Sequence, residues 1–340
     1  MGETRPPPLA ASSHFKYSTV PGFFAQSDPT TADKTFDFMA ENFGLIEKPY
    51  NTDSDLPATS SQWARFAHKL ATLNARSPVE VEYRLLFLGR HGQGYHNVAE
   101  AHFGTEMWDC YYSTLDGTAN MSWADAHLTP LGVKQAEDVA AFWKREMEKG
   151  MPMVQSWYVS PLDRALRTAE ITFEKLLAGR KESFKPVVKE MIREGIGIHT
   201  CDRRSSLSYI RTTYPHYLVE SEFSETDPLW VPDLREPGSA QTIRLRGLLD
   251  DVFGSDRSTW ISVTSHGGTI QSILRVVGHR AFGLGTGGVL PVLVKVERRD
   301  GLRPKERVVE WERKPECVGG DPGVREVEES LEVLDGRMKL

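Results

Sequence analysis

Two short apolar runs, far apart in the chain, end alike. Leu85-Leu86-Phe87-Leu88 leads into Arg90-His91-Gly92, and Trp260-Ile261-Ser262-Val263-Thr264 leads into His266-Gly267. A short β-rich run closed by a glycine-containing turn reads as a strand of a parallel sheet, covered on both faces and therefore apolar throughout. The carboxyl ends of such strands line the ligand crevice of an open α/β sheet. The pattern predicts an α/β fold in which two imidazoles and a guanidinium face one pocket.

A third corner has the same form. Ser160-Pro161-Leu162-Asp163-Arg164 follows the run Val154 to Val159 and opens a helical stretch reaching Leu177. Ser160 fits an N-cap, Pro161 the N1 position and Asp163 a capping-box acid. Arg164 then lies in the first helical turn, where an anion is already favoured. Thr129-Pro130 similarly caps an amphipathic helix with Val133, Ala136, Ala140, Trp143 and Met147 at helical spacing, so Thr129 reads as structural.

These residues resemble the histidine phosphatase superfamily, in the branch that includes cofactor-dependent phosphoglycerate mutases. The matching motifs are Arg90-His91-Gly92 with Asn97, Leu128-Thr129-Pro130-Leu131-Gly132 with Gln135-Ala136, Ser160-Pro161-Leu162 with Arg164 and Thr168-Ala169, Arg193-Glu194-Gly195, and Ser265-His266-Gly267-Gly268. They occur in family order. The chain looks most like the fungal phosphoglycerate-mutase-like phosphatases, which also have Tyr17 to Phe24, Phe43-Gly44-Leu45 and His199-Thr200-Cys201-Asp202-Arg203. The resemblance implies a three-layer α/β/α fold with a mostly parallel central sheet, a phosphorylated His91, and phosphate contacts from Asn97.

The chemistry can also be argued from the side chains. A phosphate monoester is a dianion near neutral pH, and its transfer asks the protein mainly for positioning and charge stabilisation. Arg90 and Arg164 supply planar forks that stay charged. A nucleophile that is neutral yet able to carry a phosphoryl group suits imidazole, and His91 is the choice, with Gly92 letting the backbone approach the phosphate. His266, followed by Gly267, would donate a hydrogen bond to the transferred group. Glu194 is the candidate to protonate the leaving oxygen, and the resemblance implies that the same residue later activates water. Beside Arg193 it also fits a surface ion pair, and motif order favours catalysis.

Other readings compete. His91, His96, His102, His199 and His266 could collect a metal, but His91 and His96 are not at the spacing that puts two ligands on one helix face, and neither Cys110 nor Cys201 has a nearby cysteine partner. No metal or cofactor is expected, and His102 and His127 read as ordinary histidines. A serine hydrolase lacks its Gly-x-Ser-x-Gly elbow. Gly283 to Gly288 is a weak dinucleotide signal and reads as a flexible loop before a strand from Val289 to Val296. A mutase is the nearest rival, yet Gln93-Gly94 stands where true mutases have Glu-Ser, and His96 where they have Trp. A phospho-ligand binding module, or acid-base chemistry on a non-phosphorylated metabolite, remain alternatives from other classes.

With 340 residues, 39% of them hydrophobic, the chain can bury one large core. Its net charge of −6 argues against a nucleic-acid partner and fits a small phosphorylated metabolite bound in a local basic pocket. No apolar stretch is long enough to span a membrane. Three cysteines, 110, 201 and 317, show no disulfide spacing, which implies a reducing compartment, and with no signal-peptide apolar region in Met1 to Ser13 the expected location is the cytoplasm, with the nucleus as a second one. The expected organisation is a flexible segment 1–13, an aromatic extension 14–80 packed on the core, with a helix from Ser61 to Asn74, a catalytic domain 81–298 and a charged, partly ordered tail 299–340. Inserts 95–127 and 205–235 are expected to cap the pocket with Trp108, Tyr111, Tyr112, Tyr209, Tyr214 and Tyr217. Arg203 and Arg204 are candidates for holding a second anionic group on the substrate.

Overall fold

The computed structural model describes residues 13–177 and 184–338. Among them the strands are β1 (Ser13–Thr19), β2 (Val81–Arg90), β3 (Ser156–Val159), β4 (Val187–Val188), β5 (Leu218–Val219), β6 (Leu234–Arg235), β7 (Trp260–Ser265), β8 (Val289–Asp300) and β9 (Glu312–Arg313). The helices are α1 (Gln62–Arg76), α2 (Tyr95–Phe103), α3 (Thr105–Cys110), α4 (Pro130–Glu148), α5 (Asp163–Leu177), α6 (Leu207–Thr213), α7 (Gly238–Ser255), α8 (Gly267–Val276) and α9 (Val324–Met338). One sheet has the order β1-β8-β2-β7-β3-β4-β5, and β6 pairs with β9 apart from it. Only β8 runs against its neighbours, so the large sheet is mostly parallel.

Alternation along β2 shows why the strand is apolar at every position. Leu85 and Phe87 enter a core built with α1, α4, α5 and the N-terminal aromatics, while Leu86 and Leu88 enter another built with α7 and α8. Helices therefore cover both faces, giving a three-layer α/β/α architecture. α4 starts at Thr129, whose Oγ1 accepts from the Gly132 amide at 3.1 Å, and it turns Ala136, Val139, Phe142 and Trp143 inward. The N-terminal extension seats Phe43 among Phe87, Phe142 and Trp143, with ring centroids 5.3, 4.3 and 4.9 Å away. α1 is capped by Ser61, whose side chain accepts from the Ala64 amide. The expected flexible N-terminus lies outside the described residues except for Ser13, which opens β1.

Several expectations need correction. The insert aromatics are packing groups: Trp108, Tyr112 and Trp123 form a separate core, and Tyr214 and Tyr217 pack with Val159 and Val188 at the sheet edge. The segment from Arg299 is not simply a tail, because α9 buries Val327 and Leu334 in the Trp108 core. Cys110 and Cys317 form a disulfide across 207 residues, leaving Cys201 free and buried. Sequence spacing hid that pair, since docking of the C-terminal segment brings it together, and the inference of a reducing compartment loses its basis. Among the described residues no helix is long and apolar enough to cross a membrane.

Candidate active site

The site is assembled at the carboxyl ends of three adjacent strands. Past the end of β2, the His91 amide donates to the Ser265 carbonyl of β7 at 2.9 Å. Past the end of β3, the Ser160 amide donates to the Thr264 carbonyl at 3.0 Å. Sheet hydrogen bonding thus continues one residue beyond the strands and fixes His91, Ser160 and His266 side by side. The His91 and His266 rings are 5.1 Å apart, and a third imidazole, His96 of α2, lies 5.4 Å from His91.

His91 is 2% exposed, and its Nδ1 is 2.7 Å from its neighbour's carbonyl, that of Gly92. A carbonyl only accepts, so Nδ1 carries the proton and Nε2 keeps its lone pair. Burial, reinforced by Arg164, pushes the pKa of His91 well below 6.5, leaving it neutral. Burial, with Arg164 next, acts the same way on His96 and His266. His266 Nε2 meets Ser160 Oγ at 2.7 Å, and that oxygen accepts from the Leu162 amide, so its hydroxyl proton can go to Nε2. The assigned tautomer then has its proton on Nδ1, a buried atom without a partner.

The two arginines present the same signature. Arg164 is 1% exposed, with Nη1 donating to the Cys201 carbonyl at 2.5 Å and Nη2 to Asp202 at 2.8 Å. Arg90 Nη1 donates to the Leu284 carbonyl at 2.7 Å. In both, the Nε–H is buried and unpartnered. An orphaned buried donor costs about 1–3 kcal/mol, and here two such donors belong to arginines that act electrostatically on the neutral His91, an arrangement that suits an anion.

Glu194 does not pair with Arg193, which instead binds Glu190 and Asp227. Its Oε2 accepts from the Gly268 amide at 2.9 Å, and its Oε1 from Gln241 at 3.0 Å. Gly268 therefore matters more than Gly267: a Cβ at 268 would stand 2.4 Å from Glu194 Oε1, whereas one at 267 would lie 3.5 Å from the Arg90 guanidinium. The reason for Gly92 also needs correction. A Cβ there would meet the Gly132 carbonyl at 2.3 Å, so the glycine serves the docking of α4, and its amide donates to Thr168 Oγ1.

Other candidates fall around this centre. Asn97 closes the start of α2, its Oδ1 accepting from the Gly94 amide, which leaves Nδ2 as the group that could meet a ligand. Arg203 pairs with Asp116 and stacks over Trp230. Arg204 is buried on Glu190 and on the Ser224 and Thr226 carbonyls, so it holds no substrate. Asp163 is not a capping-box acid: it accepts from Tyr209 and Tyr214, meets His127 at 2.5 Å, and has its own amide capped by Asp125. The glycine-rich loop is tied in, with Gly283 bonded to Asp33 and Gly287 to the His91 carbonyl. The sequence reading missed Ser160 as a partner of His266, along with Gln241, Asp202 and the Leu284 carbonyl. Gln241 and Leu284 lie outside the quoted motifs, and only folding shows their contacts.

Ligand atoms of His199, Cys201 and Asp202 lie within 4.8 Å of one another. Both Asp202 oxygens are occupied, by Arg164 and Arg235, and burial pushes the Cys201 thiol up, so this group suits an ion-pair network better than a cation.

The family described as "Histidine phosphatase superfamily (branch 1)" matches residues 86–284. A "Probable phosphoglycerate mutase" of Arthroderma benhamiae is 51% identical over 283 residues, covering 83% of this chain and 84% of that one. A "Phosphomutase-like protein 3" of Candida albicans is 35% identical over 83% of this chain and 81% of its own length. A "Probable phosphoglycerate mutase" of Saccharomyces cerevisiae is 32% identical over 82% of this chain and 95% of its own.

Proposed function

The chain belongs to the histidine phosphatase superfamily, and from that membership we propose that it is a metal-independent phosphomonoesterase acting through a phosphohistidine at His91 on a small sugar or polyol phosphate. The observation that carries this reading is the state of His91: buried, neutral, with Nδ1 engaged by the Gly92 carbonyl and Nε2 free. Nε2 attacks phosphorus, the ester P–O bond breaks, and Glu194 gives its proton to the leaving oxygen. Glu194 then takes a proton from water as that water attacks phosphorus and the P–N bond breaks. The free Nε–H groups of Arg90 and Arg164 and the Nδ1–H of His266 are the donors available for the phosphoryl oxygens.

The relatives' names favour comparison with mutase activity. Gln93, where mutases have Glu, is engaged by Thr129 through its side chain and by Gln135 through its amide, which supports hydrolysis. The test is phosphate release from sugar, polyol and glycerate phosphates with EDTA present, alongside interconversion of phosphoglycerates. Release by wild type and none by His91→Ala supports the proposal. Interconversion without net release would establish a mutase, and release that EDTA abolishes would reject metal independence.

A further inference from the structure

Asp202 is a buried carboxylate shared by two guanidinium groups. Its Oδ1 accepts from Arg164, and its Oδ2 accepts from Arg235 Nη1, each at 2.8 Å. Burial alone would raise its pKa, but Arg235 and then Arg164 outweigh burial and hold it down at about 2, so the carboxylate stays charged. Arg235 Nη1 also donates to the Gly195 and Gly197 carbonyls, both at 2.8 Å. Three acceptors on one nitrogen fix the plane of the group.

The other nitrogen is different. Among the described residues Arg235 Nη2 has no hydrogen-bond partner, and the side chain keeps 24% exposure. Nη2 lies beside Gly195, the residue after Glu194: a Cβ at 195 would stand 3.0 Å from it. Glu194 precedes Gly195 and acts electrostatically on Arg235, so Nη2 stands on the side of the site that holds the proposed acid. Nearby His199 is pushed down to about 4, by burial and then by Arg235, so it is neutral and adds no competing charge. The two arginines that the sequence offered for this role are occupied, Arg203 by Asp116 and Arg204 by Glu190.

We infer that Arg235 Nη2 binds a second anionic group, a carboxylate or a second phosphoryl group, on the leaving portion of the phosphomonoester. The inference rests on the reading of Glu194 as the acid. It narrows the substrate class to sugar or polyol phosphates bearing a further acid group, because a fixed guanidinium edge discriminates charge and plane together.

Binding separates this idea from turnover. Calorimetry on the full chain carrying His91→Ala compares 3-phosphoglycerate with glycerol 3-phosphate, and fructose 1,6-bisphosphate with fructose 6-phosphate. The first pair tests a carboxylate and the second a phosphoryl group. The expected result is at least tenfold tighter binding of the doubly acidic member in one pair, lost when Arg235→Lys is added. Lysine keeps one cation for Asp202 and the two carbonyls but removes the second nitrogen, so the fold retains its ion pair; Arg235→Met should lose the same preference. No preference in either pair, no measurable binding, or a preference surviving both substitutions would overturn the assignment. If wild type releases no phosphate while the preference persists, the phosphatase reading fails and the subsite stands.

Discussion

At the scale of single residues, the site depends on groups being kept uncharged or unpaired until substrate arrives. Glu194→Gln retains the size of the side chain but removes the proton donor. It should slow release from alkyl phosphates by roughly 100-fold or more and from aryl phosphates much less, since general acid catalysis typically contributes 10²–10⁴ and good leaving groups need little of it. Equal slowing of both classes would reject Glu194 as the acid. The histidines give a second expectation. His91, His96 and His266 have folded pKa values below their unfolded ones, so the unfolded chain binds more protons once pH falls below about 6.5. Stability is then fully present above that pH and declines as pH falls toward the lowered values, on the order of 1 kcal/mol per pH unit for each histidine. Urea unfolding between pH 7 and 5 measures the slope, which His96→Gln should reduce. The placement of His91 and Arg164 was legible because each follows a strand within a short motif, whereas Glu194, beyond a 3-10 turn, was singled out by motif order. Arg235 was not, because its meaning comes from Asp202, Gly195 and Gly197, which only folding brings to it.

At the scale of elements, the loop after β2 is clamped onto the start of α4. Gly92 and Gly132 approach so closely that a Cβ on Gly132 would stand 2.1 Å from the Gln93 carbonyl. Backbone on both sides leaves no flexible side chain to yield, so Gly132→Ala should cost on the order of 1–3 kcal/mol and displace His91. In contrast Gly247, inside α7, has open space at its Cβ, and Gly247→Ala should be neutral or stabilise by up to about 1 kcal/mol. Denaturation midpoints with kcat for both variants check this; similar effects at the two positions would argue against a tight clamp. The strands and α4 were readable from apolar runs and helical spacing because burial sets those patterns directly. α9 was overlooked although Val327, Leu331 and Leu334 recur at helical spacing, because charged residues between them hid a narrow apolar stripe.

At the scale of the whole molecule, the C-terminal segment packs back on the family-matched region, residues 86–284, and is secured at three points. β9 pairs with β6 beside Arg235, Cys317 bonds Cys110 at the end of α3, and α9 packs on the core around Trp108 and Trp123. A cross-link between residues so distant in sequence restricts the unfolded chain strongly, while native contacts on either side of it persist when it opens. Reduction should therefore lower stability by roughly 2–4 kcal/mol without dismantling the site, whose strand-end contacts do not involve either cysteine. Cys317→Ser should match the reduced wild type in unfolding midpoint and be insensitive to dithiothreitol, whereas wild type should shift on reduction. A wild-type midpoint that ignores reductant, with free-thiol counting giving three thiols, would mean that the bridge does not form in solution; one thiol in the oxidised protein would confirm that the segment is fastened to the first insert.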